Sequence, residues 1–146
     1  QMSSKIRLTS DEMGLIALFE SISGAQCKDC IIDEKLERLI FVVKEGNVGA
    51  AVGRNGSHIK LLRRLTGKQV EIIEFAEDPS NFIVNSLAPA KIKEVRITEK
   101  TDGERMVVVA VDPRDKGMAI GKNGRTIERT RQLAKRYFDI GHIIVT

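Results

Sequence analysis

A shift of 68 residues lays this sequence over itself. Gly49 falls on Gly117, Ala51 on Ala119, Gly53 on Gly121, Asn55 on Asn123 and Gly56 on Gly124. The match runs on through Ile59 with Ile127, Arg63 with Arg131 and Leu65 with Leu133. A repeat of this length is one folded unit used twice, so it constrains the architecture before any local propensity does. The 146 residues could bury one ordinary core or two small ones, and the repeat selects two. Units this small are marginal on core size alone, so the two are expected to pack against each other in a fixed orientation.

The same shift lays the apolar run 39–43 on 107–111, both rich in β-branched residues and read as buried strands. Upstream, Thr9 with Glu12 forms a capping box ahead of Leu15, Leu18, Phe19 and Ile22 at helical spacing. Asp78 and Pro79 start a second such helix, carrying Phe82, Ile83 and Leu87 and ended by Pro89. Behind each glycine-rich stretch comes an amphipathic helix, with Ile59, Leu62 and Leu65 in the first and Ile127, Leu133, Ala134 and Phe138 in the second. Gly67 and Gly141 are then expected to break the chain before closing strands at 69–75 and 142–145. Each half reads helix, strand, strand, short helix, glycine loop, helix, strand. The fold class is α+β, with domains 1–76 and 77–146.

Several function classes are excluded by composition. Hydrophobic residues make up 42% and charged residues 30%, with three prolines and no low-complexity run, so the chain is globular rather than disordered. No apolar run approaches the roughly 20 residues that span a bilayer, and no signal-peptide pattern opens the sequence, so a cytoplasmic protein with no membrane partner is expected. The lone Cys27-x-x-Cys30 lacks the further ligands of a zinc site and the βαβ setting of a redox site, and reads as two reduced thiols at the start of a strand. Gly117 to Lys122 falls short of a phosphate-binding P-loop: three residues separate Gly117 from Gly121-Lys122, where four are needed, and Asn123 stands where Ser or Thr is required. His58 and His142 have no nucleophile or metal-ligand partner at a known spacing; a solvated helix position is expected for the former and a structural one for the latter. Acidic pairs such as Asp11-Glu12, Asp33-Glu34 and Glu77-Asp78 sit at helix starts or loops, where capping explains them. No enzyme, cofactor or metal is expected.

The net charge of +4 tilts the partner toward polyanions, and its distribution says more. Residues 114–136 hold Arg114, Lys116, Lys122, Arg125, Arg129, Arg131, Lys135 and Arg136 against Asp115 and Glu128. Within this field and its counterpart upstream sit the loops Gly53-Arg54-Asn55-Gly56 and Gly121-Lys122-Asn123-Gly124. Glycine at both ends lets the backbone turn through positive φ and lets another backbone come close. Each loop opens a helix, where free N–H groups and the helix dipole favour phosphate oxygens. The inner residues add a cation and a hydrogen-bonding amide. One G-x-x-G is weak evidence, satisfied by many helix-to-helix turns; two at equivalent places, each with a basic residue and then Asn inside, are not.

The stretches 48–60 and 117–128 resemble the signature of KH domains, in which a GXXG loop clamps about four backbone nucleotides. The order of elements resembles the type II KH fold, a three-stranded mixed sheet with helices packed on one face. The tandem pair further resembles the KH region of the NusA family of transcription factors, closest to its archaeal form, especially over 71–90 and 131–140. The resemblance covers about 5–146. It implies binding of single-stranded RNA in transcription elongation or termination, with RNA polymerase as a partner; a monomer is taken as the default state.

Carried over position by position, the resemblance places phosphates at Gly53, Arg54, Asn55 and Gly56 and at Gly121, Lys122, Asn123 and Gly124. Val52, Ile59, Ile120 and Ile127 would line an apolar groove for bases, while Lys60, Arg63, Arg64, Arg125, Arg129 and Arg131 would extend the phosphate track. With five Phe and one Tyr, base contact is expected to be aliphatic packing and hydrogen bonding rather than aromatic stacking. The competing reading is a protein-interaction adapter on RNA polymerase or the ribosome with incidental RNA contact; acidic inner loop residues would favour it, and both loops are basic. Single-stranded DNA is a nearer variant, since a backbone clamp needs no 2′-hydroxyl.

Overall fold

The computed structural model describes residues 6–146, in which 7–75 and 76–146 form two compact units. The first five residues of the expected domain 1–76 lie outside the described ones.

The first unit begins with α1 (Ser10–Ser23), whose start is set by the capping box: Glu12 N–H donates to the Thr9 hydroxyl and Thr9 N–H to the Glu12 carboxylate. Gly24, at φ +71°, ends it. Then come β1 (Cys27–Asp33), β2 (Arg38–Val43), α2 (Val48–Val52), α3 (Ser57–Thr66) and β3 (Gln69–Glu74). The sheet order is β1-β2-β3. β1 runs antiparallel to β2, with Ile31 opposite Ile40, and β3 runs parallel to it, with Val70 beside Leu39. A parallel pair cannot be closed by a tight turn, so the chain between β2 and β3 makes a crossover. That crossover is α2, the glycine loop and α3. Alternate residues of β2, Leu39, Phe41 and Val43, face the helices and meet Phe19, Ala51 and Leu62, with the rings of Phe19 and Phe41 stacked at 4.5 Å. Each of the buried Leu, Val and Phe side chains contributes about 1.5–3 kcal/mol.

The second unit repeats the plan with α4 (Pro79–Leu87), β4 (Ile92–Glu99), β5 (Arg105–Val111), α5 (Lys116–Ile120), α6 (Arg125–Phe138) and β6 (Ile140–Val145). Asp78 accepts from Asn81 N–H and Pro79 opens α4, as the sequence predicts. The sheet order is β4-β5-β6, antiparallel then parallel. Val107, Val109 and Val111 form the buried row of β5. Phe82 of α4 packs edge-on against Tyr137 and Phe138 of α6, at 5.4 and 5.7 Å between ring centroids. Both units are therefore α+β, each a three-stranded mixed sheet carrying helices.

Two expectations are corrected. Gly141 does not break the chain; it lies inside β6, and the turn falls at Asp139, which takes the left-handed conformation at φ +54°. A short polar side chain tolerates that region. Leu65 keeps the helical period but is 57% exposed, unlike its counterpart Leu133 at 0%. Asp33 caps the turn after β1, its Oδ1 accepting from Leu36 N–H at 3.2 Å, and, nearly buried, it also accepts from Arg38 Nε at 2.8 Å, while Arg38 Nη1 reaches Glu71 of β3 at 3.3 Å. One buried guanidinium thus ties all three strands.

Cys27 and Cys30 are free thiols in β1. Burial pushes the Cys27 thiol up from 9.0 to about 12. No helix among the described residues is long and apolar enough to cross a membrane.

Candidate nucleic-acid interface

The two loops are the same object built twice. Gly53 has φ 77°, ψ 169° and Gly121 φ 82°, ψ 164°. Asn55 stands at φ 56°, ψ 28° and Asn123 at φ 56°, ψ 27°; Gly56 and Gly124 follow at φ 73° and 77°. Asparagine is among the few side chains that accept the left-handed region, which accounts for its place in both loops. Each loop tightens into one 3-10 turn, with Gly56 N–H donating to the Gly53 carbonyl and Gly124 N–H to that of Gly121, and then passes into α3 or α6. Neither helix start is capped by a side chain.

The glycines of each pair serve different ends. A Cβ on Gly53 would lie 2.6 Å from Nδ1 of His58, and one on Gly121 would lie 2.7 Å from the backbone nitrogen of Thr126. The first glycine is demanded by the molecule's own packing. Gly56 and Gly124 face space instead, with nothing nearer than 3.9 Å to a Cβ at either. They leave room for an approaching strand.

His58 and two residues that the sequence reading passed over fix the segments around the loops. His58, expected to be solvated, has Nδ1 2.7 Å from the Ala50 carbonyl, the geometry of an N–H donated across the loop from α3 to α2. Asn47, ahead of α2, accepts from Gln26 N–H at 2.8 Å, and Asp115, ahead of α5, accepts from Lys91 N–H at 2.8 Å. Those two acceptors stand 68 residues apart, so the repeat itself carried the signal.

The candidate phosphate and base contacts are not equivalent. Arg54, Asn55, Lys122 and Asn123 are exposed at the loop tips, and Lys60, Arg63 and Arg64 line the outer side of α3. Arg125 is half-buried at the first position of α6. Arg129 is turned inward, its Nη2 donating to the Ser86 carbonyl of α4 at 2.6 Å beside the buried Ser86–Thr130 hydroxyl pair. Arg131 reaches the Ile143 carbonyl at 3.4 Å and Glu128 at 3.8 Å. Arg114 folds onto Asp112, and its side chain holds that carboxyl below its usual range. Among the apolar candidates, Val52, Ile59 and Ile120 are partly exposed, while Ile127, at 5%, belongs to the core.

Two family models match, one to each unit: a KH domain over residues 15–76 and a NusA-like second KH domain over residues 79–145. A probable transcription termination protein NusA of Halobacterium salinarum is 38% identical over 141 residues, which cover 97% of this chain and 99% of that protein. Its counterpart in Methanocaldococcus jannaschii is 34% identical over 142 residues, 97% of this chain and 76% of that one. The crystal structure of APE1850 superposes with a TM-score of 0.87 at 37% identity, covering 95% of this chain and all of the other. With the loop pair, the paired mixed sheets and this likeness along nearly its whole length, the chain belongs to the NusA family and carries two KH domains in tandem.

Proposed function

We propose that this protein binds single-stranded RNA as a transcription elongation or termination factor, each of the domains 1–76 and 77–146 supplying one GXXG clamp. The observation that carries the reading is the pair of loops with matching backbone angles, each presenting an exposed cation and an exposed Asn at the start of an uncapped helix. Backbone N–H groups there, with the helix dipole, suit phosphate oxygens. Arg54, Asn55, Lys122 and Asn123 supply the charge and amide contacts, with Lys60, Arg63, Arg64 and Arg125 continuing the track and Arg131 at its margin. Val52, Ile59 and Ile120 offer aliphatic surface to bases. Ile127 and Arg129 support the loop from inside. The names of the relatives, probable transcription termination proteins, favour work beside RNA polymerase, and the reading takes the protein as a cytoplasmic monomer.

The test is fluorescence anisotropy on a randomised single-stranded RNA of about a dozen nucleotides, a length that spans two four-nucleotide clamps, and on its DNA counterpart at two salt concentrations. The variants are Arg54→Asp with Asn55→Asp, and Lys122→Asp with Asn123→Asp. Each pair should weaken RNA binding with the thermal melt unchanged, and each lost phosphate contact should reduce the salt slope by about 0.7. Binding indifferent to both pairs would favour the adapter reading, and equal affinity for DNA would remove the preference for RNA.

A further inference from the structure

The two loops share a backbone but not the charge beside it. Helical side chains lean toward the N-terminus of their helix, and Lys60 does so in α3: a Cβ built on Gly56 would lie 4.0 Å from its Cε. Its ammonium therefore stands at the mouth of the first loop. The 68-residue shift puts Glu128 at the same position of α6, and the matching backbone angles of the two loops carry it to the same place beside Gly124. Glu128 is exposed, with Arg131 Nη1 3.8 Å from its carboxylate. Where one clamp has a cation, the other has an anion.

The rest of each helix follows the same division. α3 holds Lys60, Arg63 and Arg64, all exposed, and no acidic residue. Among the described residues, neither these side chains nor that of Arg54 has a hydrogen-bond or ion-pair partner. Like charges three and four positions apart weaken a helix slightly, a cost that a bound polyanion would relieve. In α6 the corresponding cations are engaged within the fold: Arg129 donates to the Ser86 carbonyl at 2.6 Å and Arg131 to the Ile143 carbonyl at 3.4 Å. Gln132 stands where the first unit has Arg64. The sequence concentrates its basic residues at 114–136, yet the row of uncompensated cations beside a loop lies in α3. We propose that the two clamps are unequal: the first domain anchors RNA electrostatically through Lys60, Arg63 and Arg64, and Glu128 sets the second to a weaker, less salt-dependent grip on the phosphates. The inference rests on the reading of both loops as RNA clamps.

The test is a pair of charge reversals in the full chain, Lys60→Glu and Glu128→Lys, titrated by fluorescence anisotropy on the randomised RNA across a series of salt concentrations. Each phosphate neutralised on a single strand contributes about −0.7 to the slope of log affinity against log salt, so Lys60→Glu should flatten the slope by about 0.7 and Glu128→Lys should steepen it by about as much. At low salt the first should weaken binding and the second tighten it, each by about threefold or more, the scale of an exposed charge interaction. Both positions are exposed, so the melts should stay at the wild-type value. The loop variants separate the domains. Lys122→Asp with Asn123→Asp leaves the first clamp alone, and Arg54→Asp with Asn55→Asp leaves the second alone; the former should bind more tightly at low salt and with the steeper slope. If wild-type binding depends on the loops but these two variants share one slope, or one reversal or the other leaves the slope unmoved, the inequality is overturned while the RNA clamps stand. Binding indifferent to both loops overturns the clamps themselves and the inequality with them.

Discussion

Alanine substitutions at the four loop glycines should separate into two classes. At Gly124 the backbone is left-handed (φ 77°, ψ 14°) and a Cβ meets only Ile127 Cγ2, at 3.9 Å. The cost is the conformation alone, about 1–2 kcal/mol, partly offset by the lower entropy of the unfolded chain. At Gly121 (φ 82°, ψ 164°) the conformation is one that essentially only glycine occupies, costing about 1–3 kcal/mol. The new methyl would also stand 2.7 Å from Thr126 N, and forcing the first turn of α6 aside adds about 1–3 kcal/mol. The sum is about 2–6 kcal/mol. In a unit of this size each kcal/mol moves the melting temperature by about 4–8 °C, so the mid-range difference of about 2.5 kcal/mol places the melt of Gly121→Ala about 10–20 °C below that of Gly124→Ala by circular dichroism. At Gly53 the obstacle is mainly the His58 ring, a side chain. Gly53→Ala should therefore be partly rescued by His58→Ala, whereas Gly121→Ala, opposed by backbone, should be rescued much less by Thr126→Ala. Equal melting shifts at Gly121 and Gly124, or no rescue at Gly53, would refute this account of the loop.

Arg38→Met should destabilise by about 3–5 kcal/mol in urea unfolding, because it strands the nearly buried Asp33 without its partner; adding Asp33→Leu should recover much of the loss. Cys27 should react with a disulfide reagent at pH 8 far more slowly in the folded protein than in urea. Its raised folded value makes the protonated thiol the folded form, so its contribution is complete below pH 9.0 and is lost as pH rises toward about 12, which denaturant titrations across that window can follow. Arg129→Ala should cost about 1.5–3 kcal/mol, the range for a hydrogen bond from a charged donor, with a smaller effect on RNA affinity than Lys122→Asp with Asn123→Asp.

The architecture was legible because it was written twice: the repeat, the capping box at Thr9 and the Asp78-Pro79 start all report local chemistry with little dependence on distant contacts. The failures arose where a distant contact decides. Leu65 has the right period but stands 57% exposed at the end of α3, and periodicity cannot announce how much of a side chain its neighbours cover. Asp139 rather than Gly141 turned the chain, since the stronger breaker was assumed to win. Arg38 and Asp33 were invisible as a buried pair because charged residues at a strand end default to solvent. At the candidate site, loop composition and the basic field were readable one residue at a time. The inward turn of Arg129 and the His58 bridge depend on which helix lies opposite, and appear only in three dimensions.

β4 ends the second sheet, paired on one side to β5. An open strand edge is a template for adding another chain and a route to aggregation. Here it carries Lys93, Glu94, Arg96 and Glu99, all exposed, with Arg96 paired to Glu94 at 3.2 Å. A strand seeking to extend the sheet would have to strip water from these charges or match their alternating signs. The edge is thus guarded by charge against extension of the sheet by another strand.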